Sequence, residues 1–404
     1  MPTADIPAQR IDPTGVAAGV KRFRAADLGG VTVRGFDWQL LGAAIGLVIC
    51  SLVVINGATQ DDISGSPHYY LVRQTVFAIV GLALLAVVSR IDYTRLREYR
   101  TQIYALLIGT NALVLLIGAA SRGSRRWFNL GFFQLQPSEL GKVLLVLALA
   151  GYVADRSRDR HATSIVLPVI GLAAFPAALV FLQPDLGTAL VYGAITLAIL
   201  FIAGIPWQQM TALVAVVAMI GAGVLWAAPA AGVNVLHEYQ VQRLTAFLHP
   251  NEDLAGQGYQ QAQAQIAIGA GERVGRGVAN STQTQLNFLP EHHTDFVFAV
   301  VGESYGFAGA AVVLTLYALL LWRGLRILAS ARDQFGALIA AGVVAILMFQ
   351  VFVNVGMNIG IMPITGVTLP MMSYGGSSML VTFIALGLLE SIAVHSRGPR
   401  TGLL

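Results

Sequence analysis

Charged residues are scarce in this chain of 404 residues. Lys, Arg, Asp and Glu make up 11% of it and hydrophobic residues 56%, whereas about 25% charged residues is typical of a soluble domain. So few charges cannot cover the surface of a water-soluble globular enzyme, which excludes that class. The chain has a single cysteine, Cys50, so an intramolecular disulfide is excluded and cysteine usage says nothing about the redox compartment.

Long apolar runs take the place of a charged surface, and each is close to the roughly 20 residues that cross a bilayer. We therefore predict an all-α polytopic membrane protein with ten transmembrane helices. The runs cover residues 38–56, 70–89, 102–120, 138–153, 163–182, 186–204, 209–229, 296–321, 335–358 and 377–395.

The placement of Lys and Arg predicts the orientation of these spans. With the N-terminus inside, 17 of the 25 Lys and Arg residues fall on the cytoplasmic side, whereas the acidic residues divide almost evenly. The positive-inside rule therefore predicts that both termini are cytoplasmic.

The segments between and around the spans define the predicted domain organisation. Residues 1–34 form a cytoplasmic tail that we expect to be disordered, 35–396 form the membrane domain, and 397–404 form a cytoplasmic C-terminal tail. The one long loop, residues 230–295, is extracytoplasmic and contains a helix-compatible stretch at 259–268. A loop of this length is usually either functional or disordered.

Charged residues gather at the outer ends of the predicted spans. A charge at the centre of a span costs about 2.5–3.5 kcal/mol on insertion scales, so each one needs a reason. Their position, with an almost uncharged midplane, indicates a polar cavity open to the outer leaflet rather than an ion or proton path. Snorkelling explains any one of them singly. They are Arg73, Arg125, Arg126, Glu139, Lys142, Asp185, Asp295 and Glu303.

Asp295 is the sharpest candidate for chemistry, because it lies where the long polar loop meets the eighth span. A carboxylate at the mouth of the membrane domain suits a general base. Thr294 or Asp295 could instead cap the helix at its N-terminus, and both interpretations stay open. The adjacent His292 and His293 are weak evidence for a metal site, because no further ligand spacing accompanies them.

Three other segments carry local predictions. Residues 183–187 (QPDLG) predict a tight outer turn. Glu139 and Lys142 form an i, i+3 pair at a helix start that Pro137 initiates. Residues 363–378 (PITGVTLPMMSYGGSS) predict a re-entrant-like loop of irregular backbone, which must line protein or water.

Five strings in this chain resemble the SEDS family, the proteins of shape, elongation, division and sporulation. They follow that family's order through nearly the whole ten-span region, and those nearest Asp295 and Asp185 are more similar to the rod-shape branch, RodA, than to the division branch, FtsW. Gly302-Glu303-Ser304 stands where the family commonly has GEE, and the N-terminal tail has no counterpart. The strings are QPSELGK (136–142), QPDLGTAL (183–190), GYQQAQAQIAIGAG (258–271), LPEHHTDFVFAVVGE (289–303) and TGVTLPMMSYGGSS (365–378).

The resemblance implies a peptidoglycan glycosyltransferase that polymerises lipid II at the outer face of the bacterial inner membrane, for cell elongation and rod shape. The implied partners are lipid II, the growing glycan strand, a class B penicillin-binding protein (a transpeptidase) and the elongation machinery, without nucleic acid. A divalent cation, Mg²⁺ or Mn²⁺, is an open candidate, and no organic cofactor is implied. A lipid II flippase, a division-specific polymerase and a catalytically silent scaffold stay as alternatives.

The resemblance also implies roles for individual residues. The Asp of the family's HTDF motif falls on Asp295, its RW pair on Arg126 and Trp127, and its QPSE lysine on Lys142. Because diphosphate is a good leaving group, the implied reaction needs one base and positive charge for the phosphates, and Asp295 with the Arg and Lys residues would supply them. The residues predicted to bind substrate are Arg73, Arg126, Trp127, Glu139, Lys142, Asp185, His293, Thr294, Glu303 and Ser377.

Overall fold

The computed structural model describes most of the chain. The described ranges are residues 35–60, 66–121, 124–129, 131, 133–156, 162–223, 257–286 and 288–396. The two predicted tails and residues 230–256 of the predicted long loop lie outside them, so those predictions are untouched by the structure.

Helices make up most of the described chain. Two 3₁₀ helices, Tyr93–Arg97 and Val278–Asn280, lie between them. The α-helices are α1 (Trp38–Ala58), α2 (Tyr69–Val88), α3 (Arg100–Ile117), α4 (Pro137–Arg156), α5 (Ala162–Leu182), α6 (Leu186–Ile202), α7 (Trp207–Ala222), α8 (Gln257–Ala270), α9 (Thr282–Gln285), α10 (Val297–Ser330), α11 (Gln334–Asn358) and α12 (Gly376–Ser396).

A small antiparallel sheet between α3 and α4 was not foreseen in the sequence. Its strands are β1 (Ala119–Ser121), β2 (Ser124–Asn129) and β3 (Gln134–Leu135), in the order β1-β2-β3. The predicted third span ran to residue 120, but α3 ends earlier because Gly118 turns the backbone to extended angles (φ −62°, ψ 146°). The residues after it then pair with β2, which carries Arg126 and Trp127.

Eight helices of the described residues have the length and apolar composition to cross a membrane. They are α1 to α5 and α10 to α12, and each coincides with a predicted span. The multi-pass membrane architecture is therefore confirmed. Two further apolar helices, Leu186–Ile202 and Trp207–Met219, are shorter than 18 residues, so their crossing, the count of ten spans and the orientation stay predictions. The predicted helix-compatible stretch at 259–268 is α8.

Helix α10 is longer than the eighth predicted span, and it contains a kink that the sequence did not predict. The apolar run ends at residue 321, but α10 extends over 34 residues, from Val297 to Ser330, because its last turns continue as a helix beyond the apolar run. Gly306 interrupts it with φ 63° and ψ −159°. The N–H groups of Phe307 and Ala308, which this break frees, donate to the carbonyls of Glu272 and Arg273 after α8.

The centre of the bundle is formed by α4, α11 and α12. The apolar windows of these helices are 89%, 72% and 83% buried, against 17% for α3. Large apolar side chains such as Leu116 and Leu167 point outward and are mostly exposed. This distribution is expected in lipid, where an apolar exterior costs nothing and the interior is selected for close packing.

Ion pairs close the end of the bundle that we predict to be cytoplasmic. Arg323, near the end of α10, pairs with the carboxylate of Asp37, which caps α1. The N–H of Asp37 donates to Glu390 of α12 at 2.9 Å. Arg97 and Arg100 both pair with Asp155 at the end of α4. These contacts hold the helix ends opposite the candidate site.

Candidate active site

Several of the predicted site residues meet at one end of the bundle. The N–H of Gln136, just before α4, donates to Ser377 of α12 at 2.9 Å, and Ser377 in turn donates to the carbonyl of Gln134 at 2.8 Å. Ser138 of α4 donates to Asp185, ahead of α6, at 3.0 Å. The first turns of α4, α6 and α12 are therefore fastened together, as expected if they share one face of the membrane.

Asp295 lies half-buried two residues before α10. Phe296 occupies the N-cap position of that helix. The N–H of Ala299 in its first turn donates to Oδ1 of Asn358, a residue of α11, at 3.1 Å. Neither Thr294 nor Asp295 is the N-cap, so the capping alternative is wrong, because α11 supplies a polar acceptor to this helix end.

The irregular loop of residues 359–375 packs against the segment that carries Asp295. The N–H of Tyr374 donates to the carbonyl of His293 at 2.8 Å. The hydroxyl of Ser373 donates to the carbonyl of Thr294 at 2.6 Å. The loop contains no helix or strand, so the predicted irregular backbone is confirmed for residues 363–375 and forms one wall beside Asp295. The last three residues of the predicted stretch, 376–378, instead form the start of α12.

Side chains from three helices satisfy the carbonyls of this loop. Ser51 of α1 donates to Met372, Gln74 of α2 donates to Ser373 at 3.1 Å, and Tyr317 of α10 donates to Pro370. A non-helical backbone at membrane depth is tolerated when protein groups satisfy it. The loop is thus held in place from several sides, which makes it a fixed wall.

Arg73, in the first turns of α2, lies among aromatic side chains near this wall. Its guanidinium is 4.4 Å from the ring centre of Tyr69 and hydrogen-bonds the hydroxyl of Tyr374. The ring of Tyr70 is 4.7 Å from His293 and 4.9 Å from Tyr374. Burial raises the pKa of the Tyr374 phenol above its usual range, and the hydrogen bond with Arg73 opposes that rise.

Arg126 of β2 is directed at the turn between α5 and α6. Its Nε donates to the carbonyl of Gln183 at 2.6 Å, and its Nη2 donates to the carbonyl of Pro184. These acceptors are neutral, so they orient the guanidinium without cancelling its charge. Trp127 follows it in the strand and is half-buried. The predicted turn at 183–187 is confirmed.

Glu139 and Lys142 form the predicted i, i+3 pair, with Nζ 2.6 Å from Oε1. The lysine side chain is only 2% exposed and the glutamate side chain 10%. Each charge is therefore balanced within α4. Any further anion would compete with Glu139 for the ammonium group.

Both carboxylate oxygens of Asp185 accept hydrogen bonds that hold helix starts in place. Oδ1 accepts from the N–H of Thr188 at 3.1 Å and caps α6, while Oδ2 accepts from Gln136 at 2.9 Å and from Ser138. Together with Ser377, it ties helix starts together. The substrate-binding role predicted for these two residues stays a prediction.

Glu303 lies fully buried one turn before the kink of α10. Its carboxylate accepts from the N–H groups of Gln283 and Thr284 at 2.8 and 3.1 Å and from the Thr284 hydroxyl at 2.7 Å. It therefore holds α9 and the end of the long loop. These hydrogen bonds go to the loop, so they do not join Glu303 to Arg73, Arg126 or Lys142.

The donor set for a metal ion is sparse in the part of the chain that the structure describes. No group of three or more His, Cys, Asp or Glu residues there could hold an ion together. Nδ1 of His292 lies 3.2 Å from the carbonyl of Leu289, so that nitrogen faces backbone. The cationic side chains that the described residues place near the site are those of Arg73, Arg126 and Lys142.

An apolar cavity of about 270 Å³ lies between α5, α6 and α7. Ala173, Leu213 and Val217 are among the side chains that line it. Tyr192 lines the cavity as well, and its hydroxyl donates to the carbonyl of Ser138 at 3.2 Å. One residue thus connects an apolar cavity with the polar first turn of α4.

Polar residues inside apolar helices are the site residues that the sequence analysis missed. Gln74, Asn354 and Asn358 are buried, and each donates to the backbone of the 293–295 segment or of the loop at 359–375. A signal was available, because an uncharged amide within an apolar span needs a buried partner. What the sequence could not reveal is which backbone each amide reaches.

Comparison with known proteins identifies the family. A family model described as "Cell cycle protein", for the FtsW, RodA and SpoVE proteins, matches residues 36–398. The chain belongs to this FtsW/RodA/SpoVE family. The SEDS resemblance is thereby confirmed, and the match includes every residue predicted for the site.

Curated members of the FtsW/RodA/SpoVE family resemble this chain over most of their length. The peptidoglycan glycosyltransferase MrdB of Escherichia coli K12 is 37% identical over 364 residues, which are 89% of this chain and 94% of the relative. A probable peptidoglycan glycosyltransferase FtsW of Aliivibrio salmonicida is 38% identical over 369 residues, 88% of each chain.

Solved structures of the family share the fold. A chain from a peptidoglycan synthase complex that coordinates polymerization and crosslinking superposes with a TM-score of 0.74 at 32% identity, covering 90% of this chain and 99% of its own. The rod shape determining protein RodA of Thermus thermophilus superposes with a TM-score of 0.63 at 30% identity, covering 89% of this chain and 96% of its own.

Proposed function

We propose that this chain polymerises lipid II into glycan strands at the outer face of the inner membrane, with Asp295 as the general base. The predicted class of enzyme is confirmed, because the curated relatives carry the name peptidoglycan glycosyltransferase and align over nearly nine-tenths of the chain. The substrate, the side of the membrane and the role of each residue are the proposal.

One observation supports this assignment above others. Asp295 is half-buried, and the loop at 359–375 hydrogen-bonds the segment that contains it. Tyr374 of the same loop hydrogen-bonds the guanidinium of Arg73. A candidate base and a candidate phosphate ligand thus share one rigid support. Glycosyl transfer from a diphosphate requires these two components.

The chemistry balances with these groups. The 4-hydroxyl of an acceptor sugar attacks the anomeric carbon of a donor, a new C–O bond forms, and the bond to the diphosphate breaks with its electron pair. Asp295 accepts the hydroxyl proton, and Arg73 and Arg126 neutralise the departing polyprenyl diphosphate. Attack opposite the leaving group inverts an α-linked donor to a β-linked product. Unlike a glycosidase, this reaction needs no second carboxylic acid.

We further propose that the apolar cavity between α5, α6 and α7 receives part of the polyprenyl chain of the substrate. A polyprenyl chain lying there would bury apolar surface and place its polar end near Tyr192 and the first turn of α4. Glu139 lies in that turn and Lys142 pairs with it from the next one, so we propose that they sense the phosphates electrostatically.

A class B penicillin-binding protein is the partner that we propose, and elongation is the process. The synthase-complex neighbour supports the pairing of polymerization with crosslinking. The 37% and 38% identities to the MrdB and FtsW relatives do not separate elongation from division. The strings around Asp295 and Asp185, which are more similar to the rod-shape branch, favour elongation.

The first prediction tests the base directly. In purified protein supplied with lipid II, Asp295→Asn should lower the rate of polymer formation by about 10²- to 10⁴-fold, the usual contribution of a positioned general base. The measurement is gel analysis of labelled glycan products over a time course, together with the thermal midpoint of the same preparation.

Glu291→Gln is the matched control for this experiment. Glu291 is another acid of the same segment, four residues earlier, and its carboxylate accepts from Thr294 at 3.2 Å. This isosteric change should leave the polymerisation rate within about twofold, because no proton transfer is assigned to Glu291. Full activity in Asp295→Asn would remove Asp295 from the role of base.

A further inference from the structure

Two asparagines of α11, Asn354 and Asn358, are fully buried one helical turn apart. The remainder of α11 is almost entirely apolar, and the helix contains no charged residue. A buried amide without partners costs several kcal/mol in an apolar medium, so the partners of these two side chains decide why they are there.

Asn354 uses both protons of its amide on two different segments. Nδ2 donates to the carbonyl of Asp295 at 3.0 Å and to the carbonyl of Val367 at 2.8 Å. Asp295 belongs to the segment before α10, and Val367 belongs to the loop at 359–375. One side chain therefore fixes the distance between the proposed base and the wall beside it.

Asn358 adds a second attachment one turn further along α11. Its Nδ2 lies 3.3 Å from the carbonyl of Asp295 and 2.8 Å from the carbonyl of Asn354. Its Oδ1 accepts the N–H of Ala299, in the first turn of α10. The backbone is thus held at Asp295 and again four residues later.

We propose that Asn354 and Asn358 are positioning residues for Asp295, a role that rests on the proposed function. They act through the backbone and are assigned no contact with substrate. A carboxylate must lie within hydrogen-bond reach of the hydroxyl that it deprotonates, and the direction of its side chain follows from the backbone that bears it. α11 thereby sets the location of the base.

Asn354→Leu is the decisive variant, because leucine has a similar size and donates no hydrogen bond. A misplacement of about 1 Å can cost on the order of 10²-fold in rate, so we expect kcat for lipid II polymerisation to fall about 10- to 100-fold. KM should change less than about threefold, since ground-state binding is not assigned to these residues. A loss of general packing alone would not produce this split.

Asn358→Ala gives a second variant in case Asn354→Leu folds poorly. It removes the donor to Asp295 without burying a charge, so kcat should fall about 3- to 10-fold with KM unchanged. Ser391→Ala is the matched control, because Ser391 is a buried donor to the carbonyl of Ile91 near the opposite end of the bundle. It should lower the thermal midpoint but leave kcat unchanged.

A double variant separates this proposal from the proposed function. If the asparagines act through Asp295, then Asn354→Leu should cause no further loss in the Asp295→Asn background. Multiplicative losses, or an unchanged kcat in both asparagine variants, would overturn the positioning role while leaving Asp295 as the base. Full activity in Asp295→Asn would instead overturn the proposed function, and a lowered kcat in Asn354→Leu would then exclude action through Asp295.

Discussion

Most charged residues around the site already have a hydrogen-bond or ion-pair partner. Whether that partner is neutral or charged indicates whether the residue is available to bind a ligand. Arg126 is oriented by neutral carbonyls, which leaves its charge for a phosphate. Lys142 is matched by Glu139 in a buried pair, and Asp185 is used as a helix cap. Of the charges on the face that we predict to be outer, the arginines are therefore better suited than Lys142 to bind the proposed diphosphate directly.

The buried ion pair of Glu139 and Lys142 should contribute to the stability of the fold. Lys142→Met should lower the free energy of unfolding by about 3–5 kcal/mol, because Glu139 is then left buried without its counter-charge. The double variant Lys142→Met with Glu139→Gln should recover much of that stability. Thermal unfolding of the detergent-solubilised protein measures both. A single variant as stable as the parent would show that the pair carries little of the fold.

At the level of secondary-structure elements, the contacts around the candidate site are made at helix ends and breaks rather than at helix centres. The kink in α10 is a clear case, because its freed N–H groups bind the chain that follows α8. Gly306 permits this contact, since a Cβ there would lie 2.3 Å from the nitrogen of Gly275. The positive φ of 63° adds a second reason for glycine.

Gly306→Ala is accordingly expected to destabilise the protein. The strained backbone alone costs about 1–3 kcal/mol, and the loop after α8 must also move away. Gly109→Ala in α3 is the control, because its Cβ would meet nothing within 4 Å and alanine favours the helix. We expect a lower thermal midpoint for the first change and an equal or higher one for the second. Equal midpoints would contradict the close approach.

Across the whole molecule, charged side chains among the described residues lie near the two ends of the helix bundle. Asp295 and Arg73 lie at one end, and Asp37, Arg323 and Glu390 lie at the other. A transporter more often has ionisable groups near the midplane. The distribution favours a site on one face over the flippase alternative.

The orientation can be measured by cysteine labelling, because Cys50 is the only cysteine. In a Cys50→Ser background, Gln134→Cys should react with a membrane-impermeant maleimide in intact cells of an outer-membrane-permeable strain. Ser330→Cys, at the other end of the bundle, should react only after the inner membrane is opened. Both positions are exposed. The reverse pattern would invert the topology and place Asp295 in the cytoplasm.

Composition and spacing by themselves determined the membrane class, eight of the helices, the turn at 183–187, the Glu139 and Lys142 pair and the irregular loop. Each of these follows from local hydropathy or from residues close in the chain, where the physics is short-range. The sheet after α3 was missed because its strands are brief, and the kink because glycine alone does not reveal a break.

Only the tertiary structure decided what the polar groups contact. Contacts between segments up to 59 residues apart decide three such partners. Asn358 caps α10, Glu303 holds α9, and Arg126 binds the turn before α6. A buried amide or carboxylate must find a partner, but the sequence does not say which one. Packing of the helices selects that partner, and it also decides where the carbonyl of Asp295 is held.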